Sequence, residues 1–404
     1  MFKKRILITT EIIITILLSA VLLLKLKNIT ENKNSYARYN DFWQNEENYD
    51  VLFFGCSHMM HTALPHELWR DYGIKSYNCA NGAESIPTTY WVIKNAVEKH
   101  KPKVIFVELF FINSPLKVTK DQESLPHEFF DMVPLSNAKK EAIFDLYESE
   151  SDRWSYLFDY SLYHSRWNQL AKADFYPSSM HLLGAKPYLK AYELVYKDDK
   201  QELSDIHQVG SWYLYRIKEL CDENDIHLIC VVNPYGAWNE DFSGNSNYKA
   251  TSKGYGIEFL DLRDAGIVNI DTDCADRAHL NISGARKITD FYGKFLTENN
   301  YVQVCDKDDP VWEDYYKDYY LYKQKLMLDC EVADSLLTNL NDRDFFFDVV
   351  VRDYAELPNI IIKEIESAGD YNNVNLITDP KQLNMISVSV YDANKEQVLL
   401  EKQF

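Results

Sequence analysis

The chain has 404 residues, which exceeds one small domain and indicates one large domain with an appendage, or two domains. Hydrophobic residues make up 46% and charged residues 26%, a globular composition that argues against disorder. The 43 Lys and Arg against 62 Asp and Glu give a net charge of −19, which disfavours a nucleic acid as the main partner.

The N-terminus carries an apolar segment of membrane-spanning length. Residues 6–24 are nearly all Ile, Leu, Val and Thr, and a helix of this length spans about 28 Å, close to the thickness of a bilayer core. More basic residues precede the segment than follow it, which predicts a cytoplasmic N-terminus and an extracellular remainder. No small-x-small cleavage site follows, so an uncleaved signal anchor over 1–28 is favoured over a cleaved signal peptide. Residues 29–47 are polar and typical of a tether.

Five short apolar segments predict buried strands, and helical segments separate most of them. The strands are predicted at 50–55, 74–78, 103–110, 226–233 and 257–262. The helices are predicted at 87–100, 209–224 and 281–299. This alternation predicts a flavodoxin-like, three-layer α/β/α domain with a five-stranded parallel sheet over 48–303, interrupted by a helical insertion at about 114–205. Ligands of such sheets bind at the carboxyl ends of the strands.

Hydroxyl, imidazole and carboxylate groups follow the first and the fifth predicted strands. Ser57 comes just after the first strand, in a turn that would expose its hydroxyl. Asp276 and His279 lie three residues apart, shortly before the last helix of the domain. A hydroxyl nucleophile needs a base, and the base needs a carboxylate that orients its imidazole. Each pattern alone also fits an ordinary turn or a solvated loop, but together they predict a Ser-His-Asp site.

This combination resembles the SGNH (GDSL-type) hydrolase superfamily over about residues 48–300. The resemblance is carried by Phe-Phe-Gly-Cys-Ser-His at 53–58, Asn-Cys-Ala-Asn-Gly-Ala at 78–83 and Asp-x-x-His-Leu-Asn-x-x-Gly-Ala at 276–285. With the anchor and the helical insertion, the chain is similar to the membrane-anchored envelope branch. That branch includes the D-alanyl transfer protein of the teichoic acid pathway and polysaccharide O-acetylation proteins.

The resemblance implies a role for each matching residue. Ser57 would be the nucleophile, His279 its base and Asp276 the orienting carboxylate. The oxyanion would be held by the backbone N–H groups of Ser57 and Gly82 and by the side chain of Asn113. Two departures weaken the match, because Cys replaces the usual Asp before the nucleophile and Asn113 lies farther along than the Asn of the usual Gly-x-Asn-Asp.

The resemblance further implies a cell-surface serine esterase or O-acyltransferase that forms an acyl-enzyme. Its substrate would be an acyl ester of an envelope polysaccharide or teichoic acid, its partner a membrane-bound O-acyltransferase, and no cofactor is expected. The alternative is a non-catalytic scaffold of the same fold that binds a glycan or a membrane partner.

Six further residues are predicted to contact substrate. Two stand beside the nucleophile and the Gly-bearing loop, two lie in an amphipathic segment of the insertion at 154–167, and two end the fourth strand: His58, Asn81, His164, Arg166, Asn233 and Tyr235. For the insertion, the alternative is a cap helix packed on the sheet. For the end of the fourth strand, the alternative is an ordinary turn.

A metal site is a further alternative to the Ser-His-Asp site in this domain. Cys56, His58 and His61 fall within six residues, and thiolate and imidazole are zinc ligands. No fourth ligand is evident, and the seven cysteines of the chain form no C-x-x-C pair, so no metal is expected. A metal-dependent hydrolase built on these residues remains open.

The C-terminal segment 306–404 predicts a separate, smaller α+β unit. A linker helix is expected at 312–330, a strand at 344–351, a short helix at 358–368 and a closing hairpin at 385–391 and 397–400. The segment holds no catalytic combination of residues. It is therefore interpreted as a binding or partner-docking module.

Overall fold

A computed structural model describes most of the chain. The described residues are 2–30, 39, 42–44, 46–113, 133–157, 164–176, 180–192, 205–236, 247–305, 308–369 and 371–404. Much of the predicted insertion at 114–205 and most of the predicted tether lie outside these residues.

Five parallel strands form the central sheet in the order β2-β1-β3-β4-β5. The strands are β1 (Val51–Phe54), β2 (Ser76–Asn78), β3 (Val104–Glu108), β4 (His227–Val232) and β5 (Glu258–Asp261). This order is the flavodoxin-like one, so the predicted fold class is confirmed. β2 lies on one side of β1 and β3 lies on the other, so the connections after β1 and after β2 run toward opposite edges of the sheet. Such a reversal of strand order opens a crevice at the carboxyl end of β1.

Helices cover both faces of this sheet. They are Pro65–Tyr72, Ile86–Lys99, Gln208–Glu223, Tyr248–Gly254 and Ile282–Glu298. Alternate residues of β1 belong to different apolar cores: Leu52 and Phe54 to one, Val51 and Phe53 to the other. Because successive strand residues point to opposite faces, this arrangement explains why the run is apolar at every position.

The N-terminal segment is a single long helix, Phe2–Thr30. Among the described residues it is the one helix long and apolar enough to span a membrane, over Ile8–Thr30, with a mean hydropathy of 2.1 and no part of that window buried against the protein. Its exposed apolar surface is typical of a helix that faces lipid.

A second sheet forms near the C-terminus, in the order β7-β6-β8-β9. Its strands are β6 (Phe345–Val351), β7 (Val374–Thr378), β8 (Ile386–Asp392) and β9 (Val398–Gln403). Three helices accompany it: Pro310–Asp329, Ala333–Leu337 and Asn359–Ser367. The predicted linker helix, strand, short helix and hairpin all form, whereas β7 was not predicted because it is a mostly exposed edge strand without a clear alternation. The predicted unit boundary near 306 stays a prediction.

A buried ionic network joins this second unit to the central domain. Arg286 of the central domain contacts Asp342 at 2.5 Å and Glu67 at 3.1 Å. Lys323 and Asp342 are fully buried, and the Lys323 ammonium lies 2.9 Å from that carboxylate. Lys323 also contacts Asp344, to which an arginine of the helix Pro65–Tyr72 bonds as well. Since Arg286 and Arg70 of the central domain pair with Asp342 and Asp344 of the second unit, the two units are electrostatically interdependent.

The described parts of the insertion are short helices. They are Asn137–Leu146, Glu150–Leu157, the 3₁₀ helix His164–Asn168 and Lys172–Phe175. The predicted amphipathic helix at 154–167 is therefore described only at its two ends, since residues 158–163 lie outside the described residues.

Candidate active site

Ser57 begins a short helix, Ser57–Met60, directly after β1. The turn into this helix requires glycine, because Gly55 has a φ of +130° and a Cβ there would lie 2.7 Å from the Cβ of Glu108. The side-chain amide of Asn78 donates to the carbonyls of Met59 at 3.0 Å and Ala63 at 2.9 Å. The turn is thus held at both ends, and it presents a partly exposed Ser57 at the carboxyl edge of the sheet.

The loop that carries Asp276 and His279 is also held in place by buried bonds. Asp273 is fully buried and accepts from Lys287 at 2.7 Å and from the Ser283 hydroxyl at 2.9 Å. Asn281 caps the helix Ile282–Glu298 and donates to the carbonyl of Thr272 at 2.7 Å. These contacts fix the loop before the helix begins.

The three residues predicted to form the reactive group lie within hydrogen-bond distance. The Ser57 hydroxyl is 2.9 Å from His279 Nε2, and His279 Nδ1 is 3.0 Å from each carboxylate oxygen of Asp276. The backbone N–H groups of Ala278 and His279 also donate to Asp276, at 2.7 and 2.9 Å. The sequence prediction that these side chains meet therefore describes the geometry that is observed.

The electrostatics of Asp276 suit an orienting carboxylate. Partial burial raises the pKa of Asp276, but the hydrogen bonds from the His279 ring and the backbone outweigh this effect and lower the pKa to about 2. An ionised Asp276 accepts the Nδ1–H of His279, which leaves Nε2 as an acceptor for the Ser57 hydroxyl. This arrangement can move a proton from the hydroxyl to the imidazole.

One wall of the site consists of His61 and Tyr188, whose contact the sequence did not reveal. Their rings stack at 3.9 Å, and the His61 ring lies 4.9 Å from that of His279. His61 Nδ1–H donates to the carbonyl of Lys186 at 2.5 Å, which ties the segment 180–192 to the nucleophile helix. Only the tertiary fold brings this segment to His279, so no local sequence signal could have found Tyr188.

His58 and Tyr235, both predicted to contact substrate, form the buried floor beside the nucleophile. The His58 ring packs 4.1 Å from Phe110 and 4.8 Å from Tyr235. Burial, together with the nearby His279, lowers the pKa of His58 to about 3, so this ring is neutral. Its Nδ1 has no hydrogen-bond partner among the described residues. Both side chains are nearly inaccessible to solvent, so they lie beneath the crevice surface and not on it.

Glu108 is a buried carboxyl group behind the nucleophile turn. Its Oε2 accepts from the Cys56 thiol at 3.0 Å and from the Phe110 N–H at 3.1 Å, while Oε1 has no partner in the described structure. Burial raises the pKa of Glu108 to about 7 and that of Cys56 well above its ordinary value. Sequence analysis overlooked Glu108, although an acidic residue inside an apolar strand is itself a signal.

Cys56, His58 and Glu108 are also the described group with metal-ligand chemistry. One donor atom from each lies within 4.8 Å of the other two, and all three residues are buried. His61, which sequence analysis grouped with the first two, bonds to Lys186 instead. Cys56 donates its thiol proton to Glu108, and thiols bind metal as thiolates, so a metal ion would have to replace this hydrogen bond.

Two groups expected to help form the oxyanion hole, the Gly82 N–H and the Asn113 side chain, make hydrogen bonds elsewhere. The Gly82 N–H donates to the side-chain oxygen of Asn81 at 2.9 Å, and the Asn81 N–H donates to Gly55. The side-chain oxygen of Asn113 accepts from the His207 N–H at 2.7 Å, at the start of the helix Gln208–Glu223. A Gly82 contact with an oxyanion therefore requires rotation away from Asn81.

Three further predicted substrate contacts lie elsewhere or are described only in part. Arg166 donates to the carbonyl of Thr30 at 2.6 Å and to Asp174 at 3.0 Å, which places its head group at the end of the N-terminal helix. Asn233 is fully buried and accepts from the Tyr292 hydroxyl at 2.5 Å, so it belongs to the core under the crevice. His164 begins the 3₁₀ helix His164–Asn168.

Comparison with known proteins adds little to this geometry. No family model matches the chain, and no curated protein matches it in sequence. Among solved structures, the chain is similar to a Bacteroides fragilis protein described as a "putative acylhydrolase". The identity is 11% and the TM-score 0.32, over 67% of this chain and 99% of that one. A match at this level carries no argument about activity.

Proposed function

We propose that the chain is a serine esterase or O-acyltransferase of the SGNH type that acts on acyl esters at the cell surface. The observation that supports this proposal is the continuous hydrogen-bonded series from Ser57 through His279 to Asp276, with 2.9 and 3.0 Å contacts. A half-exposed, ionised carboxylate on one imidazole nitrogen and a hydroxyl on the other form the arrangement that activates a serine.

In the proposed first step, Ser57 Oγ attacks the carbonyl carbon of the acyl ester while its proton passes to His279 Nε2. The tetrahedral oxyanion is held by backbone N–H groups, of which the one on Ser57 is the first candidate and the one on Gly82 the second. When the C–O bond of the ester breaks, the leaving alkoxide takes the proton from Nε2. An acyl-Ser57 ester remains, and Asp276 stays ionised throughout.

In the second step, His279 Nε2 takes a proton from water or from a hydroxyl of a second molecule, whose oxygen attacks the acyl-Ser57 carbonyl. The Ser57 oxygen leaves with the proton from Nε2, and the free enzyme returns. Water makes the protein an esterase, and a polymer hydroxyl makes it an O-acyltransferase. The proposed polymers are an envelope polysaccharide or teichoic acid, with a membrane-bound O-acyltransferase as the proposed supplier of acyl groups.

The location is part of this proposal. The helix Ile8–Thr30 would cross the membrane, and the cluster of basic residues before it would remain in the cytoplasm. The sheet with Ser57 then lies outside the cell, next to envelope polymers. Substrates fixed to the envelope favour an enzyme that is anchored beside them.

A non-catalytic scaffold is the second candidate, and one observation favours it. The Gly82 N–H is occupied by Asn81, and the Asn113 side-chain oxygen by His207, so neither is preset for an oxyanion. A scaffold would bind glycan or a membrane partner in the same crevice. It would not turn over an ester.

Labelling with a fluorophosphonate probe distinguishes the two candidates, because this reagent reacts with activated serines. We expect the full-length chain in detergent to be labelled at Ser57, as mapped by peptide mass spectrometry, and the label to disappear in His279→Ala. The variant Ser85→Ala, which removes another partly exposed hydroxyl, should label normally. A folded protein without label, beside an active serine esterase labelled in parallel, would support the scaffold.

A chelator tests the metal alternative in the same assay. If a metal ion bound to Cys56, His58 and Glu108 activated the nucleophile, prior dialysis against a chelator would abolish labelling. The proposed mechanism uses imidazole alone as the base, so labelling should be unchanged.

A further inference from the structure

Arg166 joins the insertion to the end of the N-terminal helix. Its guanidinium donates to the backbone carbonyl of Thr30, the last residue of the apolar span, at 2.6 Å. The other side of the guanidinium bonds to Asp174 at 3.0 Å. Helix carbonyls at a C-terminus have no intrahelical donor and carry partial negative charge, so an arginine is well matched there. The segment 164–176 is thus fixed at the point where the span ends.

Three large aromatic side chains project to solvent from this segment. Trp167 is 71% exposed, Tyr176 75% and Phe175 52%. Trp167 directly follows Arg166, and Phe175 directly follows Asp174. All three aromatic side chains therefore stand within two residues of the pair that holds the end of the helix.

We propose that Trp167, Phe175 and Tyr176 insert into the headgroup layer of the membrane leaflet that faces the sheet. This inference rests on the proposed function only in that the helix Ile8–Thr30 crosses the membrane. If the span ends at Thr30, the residues bonded to Thr30 lie at the level of the headgroups, a layer about 6 Å thick. Tryptophan and tyrosine are the residues that concentrate at this depth.

A lipid surface fits these aromatics better than a protein partner does, because the membrane is present at this depth by geometry. Scattered single aromatics on a protein surface are ordinary, but here three exposed ones lie close in sequence to the residues that hold the end of a span. The contact would orient the whole sheet on the membrane. The crevice with Ser57 would then be held at a fixed height and angle instead of swinging on its anchor.

The test uses the full-length chain in vesicles of phosphatidylethanolamine and phosphatidylglycerol that contain brominated lipids, which quench tryptophan fluorescence on contact. Bromines close to the headgroup should quench wild type strongly, and most of this quenching should disappear in Trp167→Phe. Bromines near the acyl-chain ends should quench both proteins weakly. Trp212→Phe is the matched control, because Trp212 is also exposed but lies in the helix Gln208–Glu223, whereas the N-terminal helix packs against His164–Asn168 and Lys172–Phe175.

Two results would overturn the proposal, and they differ in what else they remove. If the chain floats with vesicles after an alkaline wash but Trp167→Phe and Trp212→Phe are quenched like wild type, the aromatics do not touch lipid and the anchor stands. A protein partner as the occupant would produce this same result in protein-free vesicles. If the chain is washed off, both the anchor and the lipid contact fail, while labelling of Ser57 is still measured independently.

Discussion

Replacing Glu108 by Gln should change how the stability of the protein depends on pH. Burial raises the pKa of Glu108 from an ordinary 4.5 to about 7, while the Cys56 thiol and the Phe110 N–H oppose this change only in part. The carboxyl group is protonated more readily in the folded chain than in the unfolded one. The contribution of Glu108 to stability is therefore fully present below pH 4.5 and is lost as the pH rises toward 7, where the folded group also ionises.

The size of this effect follows from the two pKa values. A difference of this size, at about 1.4 kcal/mol per pH unit, is worth about 3 kcal/mol of unfolding free energy between pH 4.5 and 7. Gln has nearly the same shape as the protonated Glu and its carbonyl can accept both bonds made to Oε2. The variant loses the titration but keeps the packing.

Thermal unfolding in detergent at pH 5 and pH 8 measures the difference. Wild type should lose several degrees of Tm relative to Glu108→Gln on going from pH 5 to pH 8. Glu401→Gln, which changes an exposed carboxyl group, should follow wild type at both pH values. Parallel pH profiles for wild type and Glu108→Gln would show that Glu108 is not a buried neutral group, and the account of the nucleophile turn would be wrong.

Three other substitutions test the site and its supports. Asp276→Asn should slow fluorophosphonate labelling by about 100-fold or more, because the amide can hold His279 in the wrong tautomer. Labelling at the wild-type rate would show that Asp276 has no role in the proposed mechanism. Asp342→Asn should lower the free energy of unfolding, measured by denaturant titration, by about 3–5 kcal/mol, because it removes a carboxylate partner of the buried Arg286 and Lys323. Asp329→Asn, which breaks an exposed ion pair, should lower it by less than about 1 kcal/mol. Gly184→Ala should lower the Tm sharply, because the φ of Gly184 is +78° and the new Cβ would lie 1.8 Å from the backbone oxygen of Asn78. Gly254→Ala should leave the Tm unchanged, because no atom lies within 4 Å of the position of its Cβ.

Local patterns in the sequence predicted the sheet and the proximity of three polar side chains. The five strands were identified by apolar runs bounded by turns, and their parallel order followed from the helices between them. Ser57, Asp276 and His279 could be placed at one edge of the sheet because they follow the carboxyl ends of strands that run parallel.

Contacts made between distant segments could not be predicted in this way. Arg166 was expected over the crevice, yet it bonds to Thr30, 136 positions earlier in the chain. Asn233 was expected to contact substrate, yet it turns inward to the Tyr292 hydroxyl because the last residues of a buried strand alternate between core and crevice. Neither outcome follows from the neighbours of these residues in sequence.

The buried ionic network between the two sheets has a consequence for how the protein can be divided. Removing the chain after residue 309 would take away Lys323, Asp342 and Asp344. Of its two carboxylate partners, Arg286 would then keep only Glu67. Stability would fall in the half that remains, since an uncompensated buried charge costs several kcal/mol. Deletion or exchange of the C-terminal sheet should therefore destabilise the central domain, and protease cleavage between the units should do the same even when every residue of the crevice is intact.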